Sequence, residues 1–204
     1  SMTNITINEV RRHITQLRTT NAKGPDGLDT RLIKYKGEEI ALPLSHIFTL
    51  SVESGKFPDQ FKVASIVLIF KDGDKTDINN YRPISLINIL SKLIEKSVNQ
   101  RLTKFLDDNK KFSTNQYGFR RGRGTSDAVL AATELIAQHV DSNERCAAVF
   151  LDLSKAFDSV SQGLLLRKLL NIEIRKTMHN WFVSYITNRN PYLRGAFNVF
   201  SVSR

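Results

Sequence analysis

One short segment, residues 146–160 with the sequence CAAVFLDLSKAFDSV, constrains the fold more than any other part of this chain. It opens with five apolar residues, 147–151, a run that is too short for a helix and is bounded by polar residues. Such a run predicts a strand buried on both faces. Asp152 follows at the strand end, where a carboxylate is held rigidly and still reaches solvent. It therefore either binds a hard cation such as Mg²⁺ or caps the next turn.

Charge is the second constraint. The 204 residues include 30 Lys and Arg against 20 Asp and Glu, a formal net charge of +10, which indicates a polyanionic partner. Residues 101–124 contribute +5 of this charge, because seven basic residues accompany only the two acids Asp107 and Asp108. The basic residues are Arg101, Lys104, Lys110, Lys111, Arg120, Arg121 and Arg123. This clustering favours a nucleic-acid contact over charge that only keeps the protein soluble.

Several classes of protein are disfavoured by composition. No apolar run approaches the roughly 18 residues that a membrane helix needs, and no secretory signal pattern opens the chain. The single cysteine, Cys146, can form neither an internal disulfide nor a zinc cluster. We therefore expect an intracellular protein in a reducing compartment, without a membrane partner.

Periodicity predicts a chain of mixed helices and strands. Helices are expected over residues 6–20, 30–35, 41–54, 88–106, 126–140, 162–170 and 174–188. Besides residues 147–151, strands are expected over residues 63–70, 81–87 and 192–200. The strands 63–70 and 81–87 flank the polar sequence KDGDKTD, which predicts a two-stranded hairpin.

Four segments carry longer motifs in a fixed order. They are AKGPDGL (residues 22–28), LIFKDGDKTDINNYRPISLINILSKLIEKSVNQRL (68–102), NQYGFRRGRGTSDAV (115–129) and FLDLSKAFDSV (150–160). In this order they resemble four parts of the reverse transcriptases of non-LTR (LINE-type) retrotransposons. Those parts are the segment before the fingers, the fingers region, the block that follows it and the first catalytic motif. The resemblance covers most of the chain.

The resemblance implies an α+β fold of the right-hand polymerase type. The fingers would consist of helices and a small antiparallel β element, followed by the start of a palm sheet. The implied domains are an N-terminal helical extension (1–60), fingers (61–145) and a partial palm (146–204). The implied function is RNA-directed DNA synthesis, with an RNA template, a DNA primer and a dNTP as partners, Mg²⁺ or Mn²⁺ as cofactor, and the cytoplasm and nucleus as location.

The resemblance also implies roles for residues of the central segment. Asp152 would be a catalytic carboxylate that holds metal together with the backbone carbonyl of Leu153. The backbone amides of Lys155 and Ala156 would contact the triphosphate of the incoming nucleotide. Phe157 would leave no room for a ribose 2′-hydroxyl and so select deoxynucleotides.

Two further groups of basic side chains are candidate binding residues. By resemblance, Arg82 on the returning strand of the hairpin and Lys71 at its tip would hold the triphosphate, although Lys71 fits a solvated turn lysine equally well. The candidate nucleic-acid contacts from the basic cluster are Lys110, Lys111, Arg120, Arg121 and Arg123. Glycines in this segment would let its backbone approach phosphates closely.

The acidic pair Asp107 and Asp108 resembles a polymerase motif in its letters but not in its position along the chain. Residues 105–108, FLDD, copy the aromatic-x-Asp-Asp signature of the second polymerase metal motif, but they precede Asp152 and lie at a predicted helix end. We interpret them as a solvated helix terminus and expect the chain alone to be inactive. Two other functions stay open: a domesticated, non-catalytic nucleic-acid-binding or protein-interaction module, and an RNA-dependent RNA polymerase. An unpaired edge of the palm could also pair with another copy of the chain.

Overall fold

The computed structural model describes residues 4–153, 156, 159–189, 191–193 and 200–201. The α-helices of these residues are α1 Ile7–Thr15, α2 Thr30–Tyr35, α3 Gly37–Ser54, α4 Ile89–Asp108, α5 Thr125–Asp141, α6 Gln162–Asn171 and α7 Lys176–Ile186. The strands are β1 Ala64–Phe70, β2 Tyr81–Ile87, β3 Pro191–Leu193 and β4 Phe200–Ser201. They form one sheet in the order β2-β1-β3-β4, in which β1 is antiparallel to β2 and parallel to β3. This mixture of helices and a small sheet confirms the predicted α+β class.

The chain divides into two compact units. Unit 1 comprises Ser1–Lys104 and Ser161–Arg204, and unit 2 comprises Phe105–Val160. In the described ranges, no helix combines the length and apolar character that crossing a membrane requires. The functional division into extension, fingers and palm stays a prediction.

The first helix of unit 1 begins at the predicted capping box but ends early. Thr6 Oγ1 accepts a hydrogen bond from the Glu9 backbone amide at 3.3 Å, which supplies the predicted N-cap. The helix ends at Thr15 instead of residue 20, and the amide of Gln16 closes it by bonding to the Arg12 carbonyl. The Thr-Thr pair that follows at residues 19–20 is β-branched and does not favour continuation.

A polar network with a buried histidine joins α1 to α4. His13 is fully buried, and its Nε2 and Nδ1 atoms each lie 3.0 Å from an α4 side-chain oxygen, Gln100 Oε1 and Ser97 Oγ respectively. Close by, Arg101 Nη2 donates to Glu9 Oε2 at 2.7 Å. The paired residues are 84 to 92 positions apart in the sequence. Helix α1 is therefore an integral part of unit 1.

Protonation of His13 should lower the stability of unit 1 in mild acid. Burial lowers the pKa of His13, and the charges of Lys96 and Arg12 act in the same direction. The hydrogen bond to Gln100 Oε1 and the charge of Glu9 act against them. The unfolded chain therefore takes up a proton at a higher pH, about 6.5, than the folded chain. We expect the free energy of unfolding to be constant above that pH and to fall below it, by at most about 1.4 kcal/mol per pH unit.

Urea unfolding between pH 5 and pH 8 measures this dependence. His13→Gln should flatten the profile below pH 6.5, because the titrating group is gone. The matched control is His46→Gln, the same substitution at an exposed histidine of α3. A profile that keeps its slope in the His13 variant would contradict the prediction.

An aromatic cluster joins α3 to α7. Trp181, on α7, stacks on Tyr185 with ring centroids 5.2 Å apart, and its Nε1 donates to Ser51 Oγ of α3 at 3.0 Å. Helix α3 ends at Ser54, the last residue of its predicted span, and Gly55 caps it in a left-handed conformation with φ of 67°. A Cβ atom at Gly55 would come within 2.9 Å of the Thr177 carbonyl oxygen, so glycine also permits the close approach of α7. This aromatic group therefore belongs to the core of unit 1, with Trp181 almost fully buried.

The motif AKGPDGL packs against the base of the β1–β2 hairpin. Gly24 is buried, and a Cβ atom there would lie 2.8 Å from the Ile87 carbonyl oxygen and 3.0 Å from Asn88 Cα. The side chain of Asp26 accepts a hydrogen bond from the Leu28 amide at 3.2 Å. These contacts show a structured loop that closes on the end of β2, instead of a plain linker.

In unit 2 the central strand predicted from sequence is wrong. Residues 145–153 form no strand, and Val149, Phe150 and Leu151 are 82%, 90% and 88% exposed. The physical reason is that a strand needs a hydrogen-bonded neighbour, and the sheet of the described residues does not include this segment. Helix α5 forms where it was predicted, but its apolar side chains, which include Val129 and Leu135, are exposed as well. Pairing of this unpaired segment with another copy stays a prediction.

Candidate functional site

Lys71 and Arg82, the two side chains of unit 1 that are candidates for binding the triphosphate, lie at the same end of the β1–β2 hairpin. Ile69 is paired with Arg82 across the ladder, and the Lys71 amide extends that ladder by donating to the Asn80 carbonyl at 2.8 Å. Directly paired residues share a face of the sheet, and so do residues two apart on one strand. Lys71 and Arg82 therefore lie on one face. Both are exposed, and within the described residues neither forms an ion pair.

The loop that closes the hairpin is held by its own side chains. Asn80 Nδ2 and Tyr81 Oη donate to the backbone carbonyls of Asp74 and Lys75, each at 2.9 Å. Asp74 Oδ1 also accepts a hydrogen bond from the Thr76 amide at 2.8 Å, which forms a local turn. This carboxylate is therefore bonded within the loop. The hairpin thus presents its two cations on a rigid support.

The central motif of unit 2 is exposed where the structure describes it. Asp152 and Leu153 follow the unpaired segment described above, and Ala156 lies in a turn. Lys155 and Phe157 lie outside the described residues. The strand that should hold Asp152 is not formed, so its position is not set by a sheet.

The oxygen atoms of this motif suit a hard cation only in part. A carboxylate and a backbone carbonyl are the ligands that Mg²⁺ prefers. Over the described ranges, however, no three His, Cys, Asp or Glu side chains come together as a metal site would require. The candidate metal-binding element of the described residues is therefore limited to two oxygen ligands, the Asp152 carboxylate and the Leu153 carbonyl.

The three arginines of the basic segment differ in what they contact. Arg120 donates to Asp107 Oδ1 at 2.9 Å, and its guanidinium lies 4.0 Å from the centroid of the Phe112 ring. Arg123 donates to the Thr114 carbonyl, and its guanidinium lies 5.5 Å from the Tyr117 ring centroid. Both arginines therefore hold the loop together.

Arg121 and the adjacent lysines Lys110 and Lys111 are exposed to solvent. In the described part of unit 2 no side-chain partner binds any of them. Lys110 and Gly122 have positive φ angles of 50° and 73°, which mark tight backbone turns. Sequence reasoning grouped all five cations and missed this division. The sequence did contain a signal for it. Asp107 and Phe112 can bind one arginine, and Tyr117 can bind another.

Comparison with known proteins identifies the family. The reverse transcriptase (RNA-dependent DNA polymerase) family matches residues 71–202. This chain belongs to the reverse transcriptase family. The match includes the hairpin cations, the basic segment and Asp152. Together with the relatives described next, it confirms the resemblance to reverse transcriptases of non-LTR retrotransposons.

Similar proteins come from insect mobile elements. The RNA-directed DNA polymerase from mobile element jockey of Drosophila melanogaster is 34% identical over 165 residues, which cover 80% of this chain and 18% of that protein. The probable RNA-directed DNA polymerase from transposon BS of the same species is 31% identical over 201 residues, covering 98% of this chain and 22% of that protein. The reverse transcriptase domain described here thus spans about a fifth of the length of these relatives. Nothing in these matches supports the alternative of a domesticated, non-catalytic module.

Proposed function

We propose that this domain binds the incoming dNTP and the template-primer in an RNA-directed DNA polymerase of a non-LTR retroelement. The observation that carries the proposal is the pair of cations, Lys71 and Arg82, on one exposed face of the hairpin. Both residues fall within the stretch that matches the reverse transcriptase family. Their lack of carboxylate partners among the described residues leaves both charges available for a triphosphate.

The chemistry of the two side chains suits different parts of this task. The planar guanidinium of Arg82 can bind two phosphate oxygens at once and so orients the group. The ammonium of Lys71 is a compact point charge that contributes attraction with less directionality. The hydrogen-bonded loop between them limits their motion, which lowers the entropy lost on binding.

We expect Arg82→Ala to raise the KM for dNTP about 10- to 100-fold in a full-length protein that carries this domain. The range corresponds to a loss of about 1.4–2.7 kcal/mol, the size expected when hydrogen bonding to a charged group is lost. Steady-state primer extension on a primed RNA template measures it. Lys71→Ala should cause a smaller rise, because the ammonium has no fixed geometry.

Two control variants make this test specific. Arg82→Lys keeps the charge and loses the planar fork, so its KM should lie between the values of the parent protein and the alanine variant. Lys75→Ala removes a cation from the same loop, where its ammonium lies 5.8 Å from the Phe70 ring centroid, and should leave the KM unchanged. Equal effects of the Lys75 and Arg82 substitutions would overturn the assignment.

The central motif would supply the metal-dependent part of the reaction. Asp152 and the Leu153 carbonyl would hold Mg²⁺ or Mn²⁺, which stabilises charge that develops during phosphoryl transfer. The Lys155 and Ala156 amides would contact the triphosphate, and Phe157 would select deoxynucleotides.

The basic segment of unit 2 would contact the nucleic-acid backbone. Arg121, Lys110 and Lys111 present charge to solvent, while Arg120 and Arg123 shape the loop that carries them. Phosphate contacts of this kind position a strand without reading its sequence. Binding should therefore weaken with salt and show little sequence preference.

The division among the arginines gives a separate prediction. Arg121→Ala should lower the slope of log affinity against log salt by about 0.7 to 0.9, the value for one lost phosphate contact, without a loss of stability. Replacing Arg120, Arg121 and Arg123 together would flatten the slope by up to about three units if all three contacted phosphates. Because Arg120 and Arg123 are bonded within unit 2, we expect a change close to that of Arg121→Ala alone. Fluorescence anisotropy with a primed RNA template measures both. The prediction fails if Arg120→Ala changes the slope and Arg121→Ala does not.

A further inference from the structure

Four polar side chains form a second basic surface, on unit 1. Arg12 and Gln16 belong to the C-terminal end of α1, and Lys96 and Gln100 to α4. Arg12 Nη2 donates to Gln100 Oε1 at 3.3 Å, and Lys96 Nζ donates to Gln16 Oε1 at 2.7 Å. We call these four residues the α1–α4 donor cluster. Each cation in it is bonded to a neutral amide oxygen.

Both amide oxygens of this cluster accept a hydrogen bond from one of its cations. Gln100 Oε1 accepts from Arg12, and it lies 3.0 Å from Nε2 of the buried His13. A guanidinium and an ammonium can only donate, so the oxygen of each amide faces its cation and each NH₂ group faces away. In the described residues, neither amide nitrogen makes a hydrogen bond. The groups that the cluster offers to a ligand are therefore mainly donors, which favours a ligand that accepts hydrogen bonds.

Among the described residues, no carboxylate forms an ion pair with either cation of the cluster. The nearby carboxylate of Glu9 is bonded to Arg101, with 2.7 Å between Oε2 and Nη2. Burial lowers the pKa of Lys96, and the charge of Arg12 lowers it further, so the two cations lie close enough to repel each other. By contrast, Arg11 on the same helix forms a 2.7 Å ion pair with Glu38. An anion placed between Arg12 and Lys96 would remove the repulsion.

We propose that the α1–α4 donor cluster binds a phosphate group of an RNA strand, as a contact additional to the hairpin and the basic segment. The ligand class follows from the many donors of this surface and from its two cations, which no carboxylate of the described residues pairs, because a phosphate is an anion with several acceptor oxygens. The choice of RNA rests on the proposed function. The Arg12 side chain is exposed at the cluster, so a strand can reach it without a pocket.

The test compares two double variants with the same change in net charge. Arg12→Gln with Lys96→Gln removes both cations of the cluster. Arg11→Gln with Lys92→Gln removes one cation from each of the same two helices, outside the cluster. Binding of a single-stranded RNA is measured by anisotropy from 50 to 300 mM salt. We expect the first double variant to lower the salt slope by about 0.7 to 1.4, for one or two phosphates, and the control to change it by less than half as much.

A charge-preserving variant guards against loss of folding. Arg12→Lys with Lys96→Arg exchanges the two cations and should retain the slope of the parent protein, while thermal unfolding monitors stability in every variant. Equal slopes for the cluster variant and the parent would overturn the proposal. So would a similar fall in the cluster variant and the control.

Two further arms separate the proposal from its alternatives. Titration with inorganic phosphate tests whether the cluster binds a free anion instead of a strand. The assignment to a strand would be overturned if the parent protein bound phosphate at micromolar concentration, the cluster variant did not, and the two had the same salt slope for RNA. The Arg121→Ala variant tests the proposed function in the same assay. If Arg121→Ala flattens the slope and the cluster variant does not, only the present inference fails. Absence of RNA binding by the parent protein would overturn both.

Discussion

Replacing Asp152 with asparagine is expected to reduce RNA-templated DNA synthesis by about 10³-fold or more in a full-length protein that carries this domain. Asparagine keeps the size of the side chain and removes the negative charge that would hold the metal ion. Loss of several kcal/mol of charge stabilisation corresponds to this factor, since about 1.4 kcal/mol is tenfold in rate. Single-turnover primer extension on a primed RNA template, with Mg²⁺ and separately with Mn²⁺, measures the effect.

The chain offers a matched control for this substitution. Asp108→Asn makes the same chemical change in the FLDD sequence, which copies the Asp-Asp signature of polymerases. The structure places Asp108 at the end of α4, as predicted, so it is part of a helix terminus instead of a hairpin. DNA synthesis should therefore survive Asp108→Asn. Loss of activity in the Asp108 variant together with retention in the Asp152 variant would reverse the two assignments.

Trp181→Ala is expected to lower the free energy of unfolding by about 3–5 kcal/mol, the range for truncation of a large buried aromatic. Trp181 is 1% exposed and stacks on Tyr185, with Phe57 and Phe182 in edge contact at 5.3 Å each. Truncation would leave a cavity between α3 and α7 and would remove the hydrogen bond to Ser51. Because whole domains are stable by only about 5–15 kcal/mol, this is a large fraction of the total. Urea unfolding followed by circular dichroism measures the loss.

Two variants test whether the loss comes from packing. Trp181→Phe keeps an aromatic ring in the cluster and loses the indole donor, so it should cost less than the alanine substitution. Phe119→Ala truncates an aromatic that is 94% exposed, and its cost should stay within about 0.5 kcal/mol. A loss below about 1 kcal/mol in Trp181→Ala would show that the cluster contributes little to stability.

Elements with strong local patterns were predictable. The hairpin strands occur at Ala64–Phe70 and Tyr81–Ile87, within one residue of the predicted bounds, because β-branched residues and a polar turn specify them locally. Helix α4 follows its predicted span within two residues at either end, because apolar residues recur along it at helical spacing. The family was also evident from ordered motifs. Each of these inferences depends on residues that are close together in the sequence.

Features that need a distant partner were not predictable in the same way. The run at residues 147–151 has the composition of a buried strand, yet it is exposed because no neighbouring strand pairs with it among the described residues. The outer face of α3 shows a smaller error of the same kind. Ile47 belongs to the predicted apolar stripe but is 43% exposed, since α1 and α7 pack on the other side of the helix.

The sequence by itself determined the family, the mixed α+β class, the hairpin and the candidate residues Lys71, Arg82 and Asp152. Periodicity and ordered motifs carry that information locally. Only the tertiary structure decided which cations are available to a ligand. It shows Arg120 and Arg123 bonded within their loop, Arg121 exposed, and the α1–α4 donor cluster assembled from residues 80 or more positions apart. The physical reason is that the charge of a residue follows from its type, whereas the partner that neutralises that charge depends on how the chain folds.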